Sequence, residues 1–314
     1  MPRVSADPRR PPQQTDPAGA ALCLVSAAGF GAMAIFGKLA YDAGVSTLTL
    51  LFVRFALATL VFGILLGARP SLAASLRGAG PRALAIGVGL GAIGYATQAG
   101  LFFAALQRLD ASLLALVLYT YPAWVMLASF ALGRERPTRR RVVALCLSSA
   151  GLVVLLAGAA AGSFDTAGVA MGLGAAFAYT AYILVADRAG LDIAPLALTA
   201  LVCGGAACTF AVVGALSGRL QLDVPADGRL WLGLIALVST ALPIVAFFAG
   251  LARVGPSTAA ILSSFEPVVT VGLAYLAFSE ILSAVQLAGA VLVLGAAVLL
   301  ASPTRAGTPA PPEF

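Results

Sequence analysis

A carboxylate deep within an apolar stretch is the residue of this chain with the clearest potential for chemistry. Glu266 lies about nine residues into the ninth apolar run, ~13 Å deep at 1.5 Å per residue, and no other carboxylate lies at such depth. Pro267 beside it removes a backbone donor, which predicts a free carbonyl one turn earlier, near Ser263. An acid in hydrocarbon is costly, so Glu266 either serves a function or is hydrogen-bonded or protonated and inert. The functional interpretation predicts proton exchange or neutralisation of an ammonium group.

Aromatic and polar side chains at similar depth would complete a cavity around this acid. Residues of the third run at spacing i, i+3, i+7 share one helical face, and two tyrosines share a face of the sixth run. The cavity is predicted to contain Glu266, Pro267, Ser263, Tyr95, Gln98, Phe102, Tyr121, Pro122, Tyr179, Tyr182, Ser239 and Pro243. Such a lining suits a small zwitterion or a moderately apolar metabolite better than a polyanion. Each tyrosine could instead belong to an interfacial belt or to helix packing.

The elements that must position these residues are membrane-spanning helices. The chain of 314 residues is 61% hydrophobic and 10% charged, and its mean hydropathy of +1.00 excludes a soluble globular domain. Backbone groups in lipid must be satisfied within their own segment, which favours helices over strands. The sequence therefore predicts an all-α integral membrane protein with spans at about 18–40, 47–67, 82–105, 111–132, 142–160, 167–187, 195–217, 229–252, 257–279 and 284–301.

The second half of the chain repeats the first at an offset of about 145 residues. The residues that recur without insertion are Leu106, Arg108, Ser112, Pro122 and Glu135, which match Leu251, Arg253, Ser257, Pro267 and Glu280. A repeat of five spans enters the membrane with opposite polarity the second time, as in many secondary transporters. We predict inverted five-helix repeats at 18–160 and 161–301, flanked by disordered termini at 1–17 and 302–314.

Arginine placement predicts the orientation. With the N-terminus inside, fourteen arginines fall on the cytoplasmic face, whereas the opposite face keeps four cationic residues and Arg54 lies within the second span. Both termini are therefore predicted to be cytoplasmic. The net charge of +6 is explained by arginines beside anionic lipid, so no nucleic-acid partner is predicted.

Ion pairs are predicted at helix ends. Arg54 could snorkel to the outer interface or pair with Glu280, and Glu135 is expected to pair with neighbouring arginines. Lys38, near the outer mouth, could be an anchor or an entry-path charge. The oligomeric state stays open, a monomer included.

Other chemistries find little support in the sequence. The chain contains no His, and its four cysteines lie in apolar runs without metal-ligand spacing, so neither a metal nor another cofactor is expected. An intramembrane enzyme is not predicted, because its catalytic groups are missing. Gly89, Gly91 and Gly94 spell G-x-G-x-x-G inside an apolar run, where close packing through Gly87 and Gly91 is favoured over a nucleotide loop.

Three segments resemble the EamA family of the drug/metabolite transporter superfamily. They are Pro122 to Arg136, the run from Glu266-Pro267 to Glu280, and Phe52-Val53-Arg54-Phe55. The resemblance covers residues 18 to 301 and extends to amino-acid exporters of the YddG type. It implies a bacterial inner-membrane carrier that exports small metabolites, most of all amino acids, by alternating access. Efflux of drugs or toxic compounds by the same fold is the alternative that the sequence leaves open.

Overall fold

The protein is a bundle of membrane-length helices. The computed structural model describes residues 16–133, 137–160 and 165–302, and within them ten helices are long and apolar enough to span a membrane. A short helix, Pro70–Gly78, connects the second and third of them. In chain order the ten are α1 (Pro17–Asp42), α2 (Thr47–Ala68), α3 (Pro81–Leu106), α4 (Ala111–Ala131), α5 (Arg139–Gly158), α6 (Thr166–Ala189), α7 (Pro195–Ser217), α8 (Ala226–Pro256), α9 (Thr258–Phe278) and α10 (Ala284–Ala301).

The predicted spans agree with these helices to within four residues at every boundary. The predicted disorder of the termini concerns residues that lie mostly outside the described ranges. Pro17, the last residue of the predicted N-terminal segment, is already the first residue of α1. The Asp16 side chain caps this helix by accepting a hydrogen bond from the Ala18 amide.

The helices pack in the pattern of an inverted repeat. α2 packs against α7, α4 against α9 and α5 against α10. Three of the five helices of the first repeat therefore contact their counterparts in the second. α1 packs against α8 and α9 as α6 packs against α3 and α4. A two-fold axis in the membrane plane produces this exchange of partners. The predicted fold, two inverted five-helix repeats, is confirmed.

The alternation of ten spans places the start of α1 and the end of α10 on the same membrane face. We call this the terminal face and the other one the distal face. The terminal face also carries the connection from α6 to α7, while the distal face carries the connections from α1 to α2, α3 to α4, α7 to α8 and α9 to α10.

Five of the ten helices are interrupted near mid-membrane, and the interruptions nearly follow the repeat. α3 and α8 each contain a π-helical segment, in which one extra residue is accommodated per turn. α4 and α9 each break just before a proline-containing half-helix, and α1 breaks although its counterpart α6 is continuous. The interruptions are Ala32 in α1, Leu90–Tyr95 in α3, Tyr119 and Thr120 in α4, Leu237–Ala241 in α8, and Ser264 and Phe265 in α9.

Glycines bring α3 and α7 into backbone contact, as the sequence predicted for Gly91. A Cβ atom added at Gly91 would overlap the Val202 backbone, and one added at Gly205 would overlap the Val88 carbonyl. Gly87 also faces α7, at Leu201. The G-x-G-x-x-G pattern is therefore part of a helix crossing.

Replacing Gly91 by Ala should lower the melting temperature of the purified protein, because overlap in a packed interface typically costs about 1–3 kcal/mol. Gly89→Ala is the matched control, since a Cβ there meets nothing within 4 Å. Both variants gain the same helix propensity. Equal melting temperatures for the two variants would show that α7 yields without cost at this crossing.

Candidate functional site

A two-part cavity lies between the repeats. An inner chamber of about 140 Å³ continues into an outer vestibule of about 800 Å³. The two spaces share six lining residues, so they form one continuous cavity. The shared residues are Phe30, Tyr95, Tyr119, Tyr121, Tyr179 and Glu266.

The vestibule leads to the terminal face. Its outer lining includes Ile193 from the connection between α6 and α7, Pro195 at the start of α7, and Leu300 and Ala301 from the end of α10. The inner chamber lies deeper, where Ala34, Phe102 and Thr270 belong to the distal halves of their helices. The described state is therefore open toward the terminal face.

Glu266 begins the distal half-helix of α9, Glu266–Phe278, and lines both parts of the cavity. Pro267 follows it, in a position where a helix needs no amide donor. The amino end of a helix carries partial positive charge, which stabilises a carboxylate placed there. A Cβ at Gly31 would lie 2.7 Å from the Glu266 carbonyl oxygen, so the glycine lets the broken α1 approach this residue closely.

The backbone groups freed by the helix breaks bind to side chains of other helices. The Tyr119 hydroxyl donates to the Ser263 carbonyl oxygen at 2.8 Å. Pro267, four residues further along, has no amide hydrogen to offer this carbonyl. The Thr270 hydroxyl donates to the Gly31 carbonyl oxygen at 2.9 Å, beside the break in α1. These bonds hold three interrupted helices together at the cavity.

Tyrosines form a continuous wall of the cavity. Five of the seven tyrosines of the chain line it, and neighbouring rings touch. Ring centroids are 5.5 Å apart between Tyr95 and Tyr182, 6.0 Å between Tyr182 and Tyr179, 4.7 Å between Tyr179 and Tyr121, and 5.9 Å between Tyr121 and Tyr119. Aromatic faces with hydroxyl edges can contact apolar groups and cations while donating hydrogen bonds.

The structure brings most of the predicted cavity residues together. Those that line the cavity are Glu266, Pro267, Ser263, Tyr95, Gln98, Phe102, Tyr121, Pro122, Tyr179 and Tyr182. Ser239 and Pro243 are absent from the lining of both spaces. Ser239 is fully buried in the π-helical segment of α8, and Pro243 packs against α1, where a Cβ at Gly29 would lie 2.5 Å from its Cγ atom.

Arg54 lines the inner chamber instead of reaching an interface, which corrects the predicted ion pair with Glu280. Its side chain is 2% exposed, and its Nε–H donates to the Thr240 hydroxyl at 2.9 Å. Within the described residues, no carboxylate lies within ion-pair distance of it. The sequence alone does not reveal this position, because a long side chain at that depth can also snorkel to the interface, and only the packing decides its direction.

Other cavity residues could not be predicted from the sequence, because they lie where the helices are interrupted and no regular helical periodicity applies. Tyr119 falls within the break of α4, and Thr240 within the π-helical segment of α8. The nearby Trp124 Nε1–H donates to the Thr120 hydroxyl at 3.2 Å, inside the same break of α4. The one available signal for Tyr119 was its position two residues before Tyr121.

Glu280 joins three helices at the distal face. It accepts a hydrogen bond from Lys38 at 2.7 Å, bonds from the amides of Ala111 and Ser112 at 3.1 and 3.0 Å, and one from the Ser112 hydroxyl at 2.9 Å. Burial alone would raise the pKa of this carboxyl, but these donors outweigh it and hold the pKa below its ordinary value. The predicted pair at Glu135 lies outside the described residues.

Further polar contacts tie helix ends together at the same face. Arg108 pairs with Asp165 at 3.0 Å, and the Gly168 amide and this guanidinium hold the pKa of Asp165 below its ordinary value. The Thr49 hydroxyl donates to the Gln221 carbonyl oxygen at 2.8 Å. Because these contacts and the Glu280 cluster join the two repeats, the distal face is closed while the terminal face is open.

Two inverted five-helix units around a central cavity are the architecture of a membrane carrier. Comparison with known proteins supports the same class of protein. Residues 17–157 and 166–302 each match the EamA-like transporter family. The chain therefore belongs to the EamA-like transporter family, within the drug/metabolite transporters.

Two similar proteins match nearly the full length of the chain. An uncharacterized transporter of Archaeoglobus fulgidus is 28% identical over 283 residues, which cover 90% of this chain and 96% of that protein. A protein of known crystal structure superimposes with a TM-score of 0.61 at 18% identity, over 90% of this chain and 96% of that chain. The second likeness concerns the fold alone.

Replacing Glu280 by Gln should destabilise the distal face, since loss of a charge-assisted hydrogen-bond cluster costs about 1–3 kcal/mol. The expected result is a lower melting temperature at neutral pH. Because the folded-state pKa of Glu280 is depressed, its contribution is present above the ordinary glutamate pKa of about 4.3 and is lost as the pH falls through the folded-state pKa. The difference between parent and variant should therefore shrink only in that acidic range.

Asp223→Asn is the control for this comparison, because Asp223 lies exposed on the same face. It should melt like the parent at every pH. A Glu280→Gln difference that is equally large under acidic and neutral conditions would assign the effect to side-chain packing and not to the charge.

Proposed function

We propose that this transporter exports amino acids or similar small zwitterionic metabolites across the bacterial inner membrane by alternating access. The observation that supports the proposal best is the position of Glu266, a carboxylate on a half-helix end inside a tyrosine-lined cavity that opens to one face. A pocket of several hundred Å³ with few polar groups is typical of small-molecule sites.

In this proposal Glu266 binds the ammonium group of the substrate. The carboxylate faces a chamber that already contains the hydroxyl groups of Tyr119 and Tyr121, and an ammonium can donate to both kinds of oxygen. The tyrosine rings provide apolar contact for the substrate side chain. When the chamber holds no substrate, a proton can neutralise the carboxylate, which allows proton exchange to drive export.

Alternating access follows from the repeat. In the described state the two repeats line the cavity with different segments, and the cavity opens at the terminal face. If the two repeats exchange conformations, the same interior opens at the distal face. That exchange requires the Glu280 cluster and the Arg108–Asp165 pair to separate, so these contacts would act as the distal gate.

The proposed orientation places the terminal face in the cytoplasm. It rests on the excess of arginine on that face, fourteen residues against four cationic residues on the other. The described state would then be the one that loads substrate from the cytoplasm, as export requires.

Efflux of organic cations is the second candidate, and the tyrosine wall favours it. Aromatic faces near a carboxylate attract lipophilic cations as well as ammonium groups. Competition between labelled phenylalanine and unlabelled amino acids or quaternary ammonium compounds in proteoliposomes separates the two candidates. Export of amino acids predicts that the amino acids compete and the cations do not.

Glu266→Gln should reduce amino-acid transport by about tenfold or more, because a charge-assisted hydrogen bond is replaced by a weaker neutral one. The parent should transport at a rate that varies with pH, and the residual rate of the variant should not. Proteoliposome uptake measured at several pH values gives both rates. Equal rates for parent and variant would remove Glu266 from the mechanism.

Replacing Tyr95 or Tyr179 by Ala should weaken binding of aromatic amino acids more than that of alanine, since each ring contributes contact area to the cavity. Tyr275→Ala is the matched control, because this tyrosine is 55% exposed on α9 and absent from the cavity lining. Competition assays with phenylalanine and alanine give the two affinities. The same selectivity in all three variants would place substrate binding elsewhere.

A further inference from the structure

Arg54 is a buried cation whose charge has no counterpart among the described ion pairs. Its guanidinium carbon lies 4.8 Å from the centroid of the Phe55 ring and 5.5 Å from that of Phe103. The Tyr95 side chain is hydrogen-bonded to the guanidinium, and the Cys203 thiol interacts with it electrostatically; neither supplies a carboxylate. Aromatic faces offset part of the cost of burying a cation, but a buried charge without an anion remains expensive. Such an arrangement is expected in a binding site where the ligand itself supplies the anion.

The guanidinium is held so that its free donors can serve a ligand. Nε–H is used by the Thr240 hydroxyl, which in turn donates to the Ile235 carbonyl oxygen at 2.9 Å. Thr240 therefore presents a lone pair to Arg54 and fixes the plane of the guanidinium. The two terminal nitrogens carry the other four N–H donors. The Tyr95 hydroxyl accepts from one of them, and those that remain still include one on each nitrogen, in a fork that matches a carboxylate.

Arg54 and Glu266 line the same inner chamber from α2 and α9, and they are not within ion-pair distance of each other. Two opposite charges kept apart in a space of about 140 Å³ can both be neutralised by one small zwitterion. A cationic drug would satisfy Glu266 and leave Arg54 unpaired. The chamber is thus electrostatically complementary to a molecule that carries both charges.

We propose that Arg54 binds the substrate carboxylate, so that the carrier selects compounds in which a free carboxylate stands close to an amine. The inference rests on the proposed function, which takes the chamber around Glu266 as the substrate site. Thr240 is a positioning residue in this scheme, because it acts only through Arg54.

Competition against labelled phenylalanine in proteoliposomes tests the proposal with two unlabelled analogues. Phenylethylamine lacks the carboxylate, and 3-phenylpropionate lacks the amine. The parent should bind phenylalanine at least about tenfold more tightly than either analogue, as expected for a lost charge-assisted interaction. Arg54→Gln should bind phenylalanine no better than phenylethylamine, with the affinity for phenylethylamine unchanged.

Two further variants separate recognition from folding. Arg54→Lys keeps the charge but loses the planar fork, so it should retain only part of the discrimination. Thr240→Val removes the hydroxyl acceptor and should lower the preference for phenylalanine over phenylethylamine. Its affinity for phenylethylamine should equal that of the parent. If Arg54→Gln does not fold, Arg54→Lys carries the test. Ligand-induced shifts in melting temperature provide a readout independent of transport.

The possible failures are distinguishable. Loss of affinity by the same factor for phenylalanine and phenylethylamine in the Arg54 variants would make Arg54 a structural residue and overturn the inference. A parent that transports phenylalanine but binds phenylethylamine equally well would also overturn the inference, although amino-acid export would still stand. A parent that takes organic cations and no amino acid would overturn the proposed function itself.

Discussion

The hydrogen bond from Tyr119 to the Ser263 carbonyl oxygen joins the two breaks on which the cavity depends. In hydrocarbon an unpaired backbone carbonyl is so costly that a helix can be interrupted only where another group of the protein satisfies it. Tyr119 lies in the break of α4 and Ser263 at that of α9, so the first repeat supplies the donor that the interrupted helix of the second repeat lacks. The breaks in turn allow half-helix ends to face an interior space, which continuous helices would fill.

The two-fold relation holds for the backbone but not for the chemistry of the cavity. The π-helical segments of α3 and α8 and the breaks of α4 and α9 correspond in position. At the amino ends of the two half-helices, however, Tyr121 stands in the first repeat where Glu266 stands in the second. The offset of about 145 residues between the repeats pairs these two positions. A symmetric pair of acids would repel across so small a chamber, whereas one acid defines a direction for a polar ligand.

Most of the fold could be predicted from the sequence, because hydropathy and the repeat each constrain it strongly. The ten spans and their inverted order required only apolar runs of sufficient length and a fixed offset between recurring residues. The cavity was predictable where a regular helix carried the residues, as with Tyr95, Gln98 and Phe102. It was not predictable at Pro243, which the same offset equates with Gln98, because the close approach of α1 at Gly29 fills that side of α8. Arg54 shows the other limit, since only three-dimensional packing decides where a long side chain places its charge.

The tryptophans of this chain stand at places where motion is expected. The chain has two, and Trp124 contacts the break of α4 through Thr120, with its ring centroid 4.5 Å from that of Phe177 on α6. Trp231, on the distal side of α8, stacks on Phe36 of α1 at 6.0 Å. Indole emission depends on the polarity around the ring, so the protein carries its own optical reporters of the midplane and the distal side. Single replacement of either tryptophan by Phe would assign the signal to one of the two places without any attached dye.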